Sequence, residues 1–165
     1  TMPLSKPLTA KIIVISDYVI DGVRLDEVGP AAVELLATFG VDVGEPIAIP
    51  ENKEAISVAL KTTIEQGYDI IITAGGVGLK PNNLTPEATR PFLDAELPGI
   101  ATQVLLEGIK NDSHAGLARG LVGVTGRNDT SALVVNSAGC VDGITDTITV
   151  IGPLLSDIFQ QLGRS

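Results

Sequence analysis

The run Tyr68-Asp69-Ile70-Ile71-Ile72-Thr73 passes directly into Ala74-Gly75-Gly76-Val77-Gly78, and this junction constrains the fold more than any other stretch. Consecutive β-branched residues bounded by glycine read as a strand buried on both faces, the kind found in parallel sheets. The glycines permit positive φ and let a ligand approach the backbone closely. Downstream, Asn82-Asn83-Leu84-Thr85-Pro86-Glu87 reads as a helix start, with Thr85 as N-cap and Pro86 in the first helical position. Strand, glycine turn and helix start together suit an anion, because free amides and the positive helix end favour phosphate or carboxylate. The same residues also suit an ordinary tight corner. Their spacing is neither that of a P-loop nor the Gly-x-Gly-x-x-Gly of dinucleotide folds.

The rest of the chain alternates the same two kinds of segment. Residues 11–16 read as a first strand ending at Ser16-Asp17, and residues 18–28 as a polar loop carrying Asp21, Arg24, Asp26 and Glu27. From Gly29-Pro30 the apolar residues Ala32, Val33, Leu35, Leu36 and Phe39 recur at helical spacing until Gly40. Residues 41–49 predict a second strand that Gly44 and Pro46 interrupt or confine to an edge. A helix opens at Pro50-Glu51-Asn52-Lys53, with Ile56, Ala59, Leu60 and Ile64 on its apolar face, and stops at Gly67. A short helix is expected over 86–93 and another from Pro98-Gly99, with Ile100, Val104, Leu105 and Ile109 apolar. Residues 117–124 read as a helical turn followed by a short strand, and 131–136 as a strand ending in Asn136-Ser137-Ala138-Gly139-Cys140. The last helix carries Ile144, Ile148, Ile151, Leu155 and Ile158, with a kink at Pro153. No repeat or linker interrupts this order. It predicts an N-terminal tail over 1–10 and one three-layer α/β/α domain with a mostly parallel sheet over 11–165.

A chain of 165 residues can bury a sizeable core, and with 3% aromatic residues that core must be aliphatic. The formal net charge of -9 argues against nucleic acid, whose phosphates call for clustered Lys and Arg. One cysteine, Cys140, excludes an internal disulfide framework, and one histidine, His114, argues against a histidine-rich zinc site. No stretch is long and apolar enough to span a bilayer, so no membrane partner is expected and a cytoplasmic location is the default.

Ligands of open α/β sheets bind beyond the carboxyl ends of the strands. If the strands ending at Ser16-Asp17, Ala74–Gly78 and Asn136–Gly139 run parallel, their turns converge on one rim. That rim would offer backbone amides, the hydroxyls of Ser16 and Thr85, and the carboxylates of Asp17 and Asp26. Arg24, Lys80 and Arg90 flank it and would neutralise phosphate. The alternative for each is a solvated surface charge. His114 reads as an exposed turn residue and Cys140 as a buried inert thiol.

Taken in order, Ile15-Ser16-Asp17, Asp26-Glu27-Val28-Gly29-Pro30, Ile49-Pro50-Glu51-Asn52, Thr73 to Gly78, Leu84-Thr85-Pro86-Glu87-Ala88-Thr89 and Asn136 to Gly139 resemble the Mog/MoaB molybdopterin-binding family. The resemblance runs from about Lys11 to Leu162. It implies a three-layer α/β/α fold, often trimeric, that binds molybdopterin during molybdenum cofactor biosynthesis. Members with adenylyltransferase activity attach AMP from Mg·ATP to the terminal phosphate of molybdopterin before a molybdate-inserting enzyme acts. Carried onto this chain, pterin and phosphate contacts fall on Ser16, Asp17, Gly75, Gly76, Gly78, Thr85 and the Asn136–Gly139 turn, with Asp26, Ala74, Val77, Asn83 and Pro86 beside them. Asp17, Glu51 and Asn83 take the catalytic positions.

The chain also departs from the family pattern. Val77 stands where the family usually has Thr, Asn82-Asn83 where it has Arg-Asp, Glu51-Asn52 where it has an acidic pair, and Ser137-Ala138-Gly139 where it has Leu-Pro-Gly. Asn can neither bind Mg²⁺ as a charged ligand nor accept a proton. Two expectations follow: a molybdopterin adenylyltransferase using Mg²⁺ and ATP, or a molybdopterin carrier or scaffold impaired in catalysis.

Overall fold

The computed structural model describes residues 3–165. Strands β1 (Thr9–Ile15), β2 (Asp42–Val43), β3 (Ile47–Ile49), β4 (Ile70–Ala74), β5 (Ala95–Glu96), β6 (Val122–Val124) and β7 (Leu133–Ser137) form one sheet in the order β2-β1-β4-β7-β6-β5. β3 pairs with β1 beyond β2, so β2 and β3 are two pieces of one edge strand broken at Gly44 to Pro46, as the glycine and proline predict. β1, β4 and β7 are mutually parallel, whereas β6 runs antiparallel to β7 and β5 antiparallel to β6. The sheet is mixed but mostly parallel.

The helices are α1 (Asp17–Ile20), α2 (Val28–Ala37), α3 (Lys53–Glu65), α4 (Thr85–Thr89), α5 (Pro98–Gly108), α6 (Val141–Ile151) and α7 (Leu155–Gln161). Side chains alternate across the central strands and fill two cores. Ile12, Val14, Ile70, Ile72, Leu133 and Val135 pack with Leu36, Ile144, Ile148 and Phe159 from α2, α6 and α7. Ile13, Ile15, Ile71 and Val134 pack with Ile56, Leu60 and Ala88 from α3 and α4. The fold is thus three-layered, as expected. At roughly 25 cal/mol per Å² of apolar surface removed from water, these aliphatic cores stabilise it despite the near absence of aromatics.

Several expectations change in detail. The loop after β1 opens with α1, a helical turn that Ser16 caps by accepting a hydrogen bond from the Val19 amide at 3.3 Å. β1 starts at Thr9, and Leu8 and Ala10 are buried in the core. Gly40 and Gly67 follow the ends of α2 and α3 with φ of +77° and +84°, as the sequence predicts. The last helix breaks at a 3-10 turn, Gly152–Leu154, which separates α6 from α7 at Pro153.

Candidate functional site

Because β1, β4 and β7 are parallel, the turns leaving their carboxyl ends meet at one edge of the sheet. They line a single cleft of about 960 Å³. Ser16, Asp17, Asp26 and Glu51 line one wall. Ala74, Gly75, Gly76, Val77, Gly78 and Asn83 line another, and Gly139 closes the third.

The glycine turn forms the inner wall, and its backbone geometry admits only glycine at two positions. Gly75 has φ of +119°, and a Cβ there would lie 2.3 Å from the Ile15 carbonyl oxygen. Gly76 has φ of +69°, and a Cβ there would lie 2.3 Å from Thr85 Oγ1. The Gly75 amide donates to the Ser137 carbonyl at 3.0 Å, which ties β4 to β7. The amides of Gly76, Val77 and Gly78 donate to no acceptor among the described residues. They are therefore available to an anion.

Thr85, Pro86, Asn136, Ser137 and Ala138 do not line the cleft. Leu84, not Thr85, is the N-cap of α4, and Thr85 is its first helical residue. Thr85 is fully buried, donates from Oγ1 to the Gly75 carbonyl at 2.9 Å and so holds the turn from behind. Pro86 is buried beside it. Asn136 has its amide capacity taken up internally. Its Nδ2 donates to Thr73 Oγ1 at 2.9 Å and Thr89 Oγ1 at 3.0 Å, and its Oδ1 accepts from the Leu121 amide at 3.1 Å. The Ser137 hydroxyl donates to the Ala138 carbonyl at 2.9 Å, and Ala138 faces a separate cavity beside α5 and α6. The third corner thus meets the cleft through Gly139, Cys140 and Asp142.

The carboxylates divide in the same way. Asp17 Oδ1 accepts from the Glu51 amide at 2.9 Å, which ties the first wall together. Asp26 Oδ1 accepts from the Val28 and Gly29 amides at 3.0 and 2.9 Å, capping the first turn of α2. Asn52 caps α3 by accepting from the Ala55 amide at 2.7 Å, and its side chain does not line the cleft, whereas Glu51 does.

Sequence reasoning missed Arg119. Its backbone amide donates to the Val77 carbonyl at 2.9 Å, and its Nε donates to the Gly78 carbonyl at 3.0 Å. One Nη donates to the Asn83 carbonyl at 2.9 Å, and the guanidinium forks onto Glu87 at 2.8 and 3.1 Å. This side chain stitches the glycine turn, the Asn83 loop and α4 into one unit. Its hydrogen bond holds the Glu87 carboxyl below the usual carboxylate range, against a smaller opposing effect of desolvation. No local pattern marks Arg119, since its partners lie far away in sequence.

Arg24 and Lys80 supply positive charge to the cleft against Asp17, Asp21, Asp26, Glu27, Glu51 and Asp142. Arg90 lies elsewhere, in an exposed pair with Glu96 at 3.2 Å. His114 is exposed as expected, bonded to Asp112. Cys140 is exposed at the cleft, correcting the expectation of a buried thiol; as the N-cap of α6 it has its sulfur turned outward to accept from the Gly143 amide. Among the described residues, no group of three or more His, Cys, Asp or Glu side chains is arranged to hold a metal. A divalent cation would have to bring most of its coordination shell with its ligand, the usual habit of Mg²⁺ on phosphates. No helix of the described residues is long and apolar enough to cross a membrane.

Residues 11–157 match a sequence family described as "Probable molybdopterin binding domain". A solved structure from Corynebacterium diphtheriae is 38% identical, with a TM-score of 0.88 over 95% of this chain and 99% of that one. The molybdopterin biosynthesis enzyme MoaB from Thermus thermophilus is 33% identical, with a TM-score of 0.84 over 94% and 96% of the two chains. The molybdenum cofactor synthesis protein cinnamon of Drosophila melanogaster is 30% identical over 158 residues, covering 94% of this chain and 26% of that protein. The chain likewise spans 48% of the molybdenum cofactor biosynthesis bifunctional protein of Chlorobaculum tepidum.

Proposed function

The chain belongs to the Mog/MoaB family of molybdopterin-binding domains, and on that premise we propose that its cleft binds molybdopterin and adenylylates it with Mg·ATP. One observation carries this reading: the unbonded amides of Gly76, Val77 and Gly78 lie in a turn that shares a cleft with Ser16-Asp17 and Gly139. Such amides bind an oxyanion without bringing a net charge of their own. In this reading they take the terminal phosphate of molybdopterin, and the Gly139-Cys140 corner borders the pterin. Arg24 and Lys80, which both line the cleft, offset phosphate charge.

In the transfer, a terminal phosphate oxygen of molybdopterin attacks the α-phosphorus of ATP, the bond to the β-phosphate oxygen breaks, and pyrophosphate leaves. Such a reaction is accelerated chiefly by positioning and by neutralising charge. Asp17 and Glu51 position the magnesium-bound nucleotide, and Asn83 offers a neutral carbonyl oxygen. Magnesium arrives as part of this substrate, keeping waters and taking one or two carboxylates from the protein. We place the protein in the cytoplasm, handing its product to a molybdate-inserting enzyme. Ile100 and Ala101 of α5 pack against the core, while Leu105, Leu106 and the C-cap Ile109 are exposed; in this reading these exposed residues join copies of the chain, as a trimer by family resemblance.

A second reading has a specific observation in its favour. Asn83 replaces a usual carboxylate and Asn52 serves as a helix cap, so the chain would bind molybdopterin without transferring AMP. Incubation with molybdopterin and Mg·ATP, followed by chromatography of AMP-molybdopterin and measurement of pyrophosphate, tests both. Equal yields of the two products support transfer, and bound molybdopterin without product selects the second reading. Failure to bind molybdopterin overturns both.

A further inference from the structure

The chain has three Phe, two Tyr and no Trp, and four of these five aromatic side chains have packing roles. Phe159 is fully buried in the core. Phe92 and Tyr68 pack against the core on the α3 face, and the Phe39 ring, although 40% exposed, lies against Gly152 and does not line the cleft. Tyr18 is the exception. It is 57% exposed, stands on α1 and lines the ligand cleft. Its position is built rather than incidental. Ser16 caps the turn that carries it, and the Val23 and Arg24 amides both donate to its carbonyl, at 2.9 and 3.2 Å. That closure brings the Arg24 guanidinium over the ring at 5.1 Å from its centroid. Leu25, also lining the cleft, is 86% exposed in the same loop.

From this placement we infer that Tyr18 is the stacking residue for a planar heteroaromatic ring whose phosphate lies in the glycine turn. An aromatic ring with a cation on one face and the cleft beside it offers a π surface to a flat, electron-poor heterocycle. Arg24 keeps the tyrosine side chain in place and adds charge near the phosphate. The inference rests on the reading of the cleft as a phosphate-ligand site. Two rings satisfy the chemistry, the adenine of a nucleotide and a pterin.

Calorimetric titration of the full chain, Tyr18→Phe and Tyr18→Ala separates these sources. The probes are Mg·ATP, 6-hydroxymethylpterin phosphate and ring-free Mg·tripolyphosphate. Tyr18→Ala weakens a ring-bearing probe by about tenfold, the usual worth of one stacked base, while Tyr18→Phe retains the parent affinity. Whichever ring-bearing probe is weakened identifies the ring, and tripolyphosphate binds all three proteins alike. The inference is overturned if Tyr18→Ala leaves both ring-bearing probes within about twofold of the parent, below what a stacked ring is worth. It is also overturned if tripolyphosphate loses affinity to the same degree. If none of the three probes binds the parent chain, the phosphate-site reading falls first and the inference with it.

Discussion

Replacing Gly76 with alanine tests how the glycine turn is held in shape. The backbone there has φ of +69°, and an alanine in the left-handed region costs about 1–2 kcal/mol. The new Cβ would stand 2.3 Å from Thr85 Oγ1, which is buried and donates to the Gly75 carbonyl at 2.9 Å. That hydroxyl must leave, and an unsatisfied buried carbonyl costs about 1–3 kcal/mol more. Gly76→Ala is therefore expected to destabilise the chain by about 3 kcal/mol in total. Thr85→Ala loses the same hydrogen bond and a buried methyl, for about 2–3 kcal/mol. The hydrogen bond can be lost only once. With Oγ1 gone, the nearest remaining Thr85 atom is its Cβ at 3.4 Å, an ordinary contact. The double variant should then be more stable than the sum of the two losses by about 1–3 kcal/mol. Urea denaturation followed by far-ultraviolet circular dichroism gives all four stabilities. Additivity within about 0.5 kcal/mol would refute the coupling between Thr85 and the turn.

Asp146 and Glu87 predict opposite responses to pH. Burial, reinforced by Glu107 and Asp142, holds the Asp146 carboxyl above its ordinary range, so the folded chain keeps this proton to higher pH than the unfolded chain. Stability falls as pH rises through that interval, and Asp146→Asn should gain stability at neutral pH but not at a pH that protonates the carboxyl in both states. The Glu87 carboxyl is held low by Arg119, so its contribution is present above the ordinary carboxylate range and is lost on acidification. Glu87→Gln should lower the melting temperature at neutral pH and converge with the parent in acid. Asn83→Asp adds a carboxylate in the cleft and should raise AMP transfer in a pyrophosphate-release assay, whereas Asn52→Asp keeps the α3 cap and should leave it unchanged. The thiol of Cys140 is exposed at the cleft, so Mg·ATP should slow its reaction with Ellman's reagent; an unaltered rate under saturating Mg·ATP would contradict the assigned position.

What could be read from sequence was governed by short-range pattern. The β-branched run at Ile70–Thr73, the stops at Gly40 and Gly67, the break between Gly44 and Pro46, and the Pro153 kink all follow from backbone preferences within a few residues. β5 was invisible because Ala95-Glu96 is a two-residue strand defined only by pairing with β6. The cleft was legible as a meeting of strand ends, but the duties of individual side chains were not. Thr85 and Asn136 resemble ligand donors in sequence, yet they bond to Gly75, Thr73, Thr89 and Leu121 and build the support beneath the turn. Arg119 escaped notice because its partners Gly78, Asn83 and Glu87 lie 32 to 41 residues away. Tyr18 needed the whole fold, since only the fold brings α1, and Tyr18 alone of the five aromatics, to the cleft.

Amide resonances of the nitrogen-15-labelled chain, followed by NMR during titration with molybdopterin, test the assignment of the glycine turn most directly. Binding in the cleft moves the signals of Gly76, Val77 and Gly78 together with Gly139, along one saturation curve. Saturable binding that leaves those four signals in place while residues outside the cleft move would contradict it.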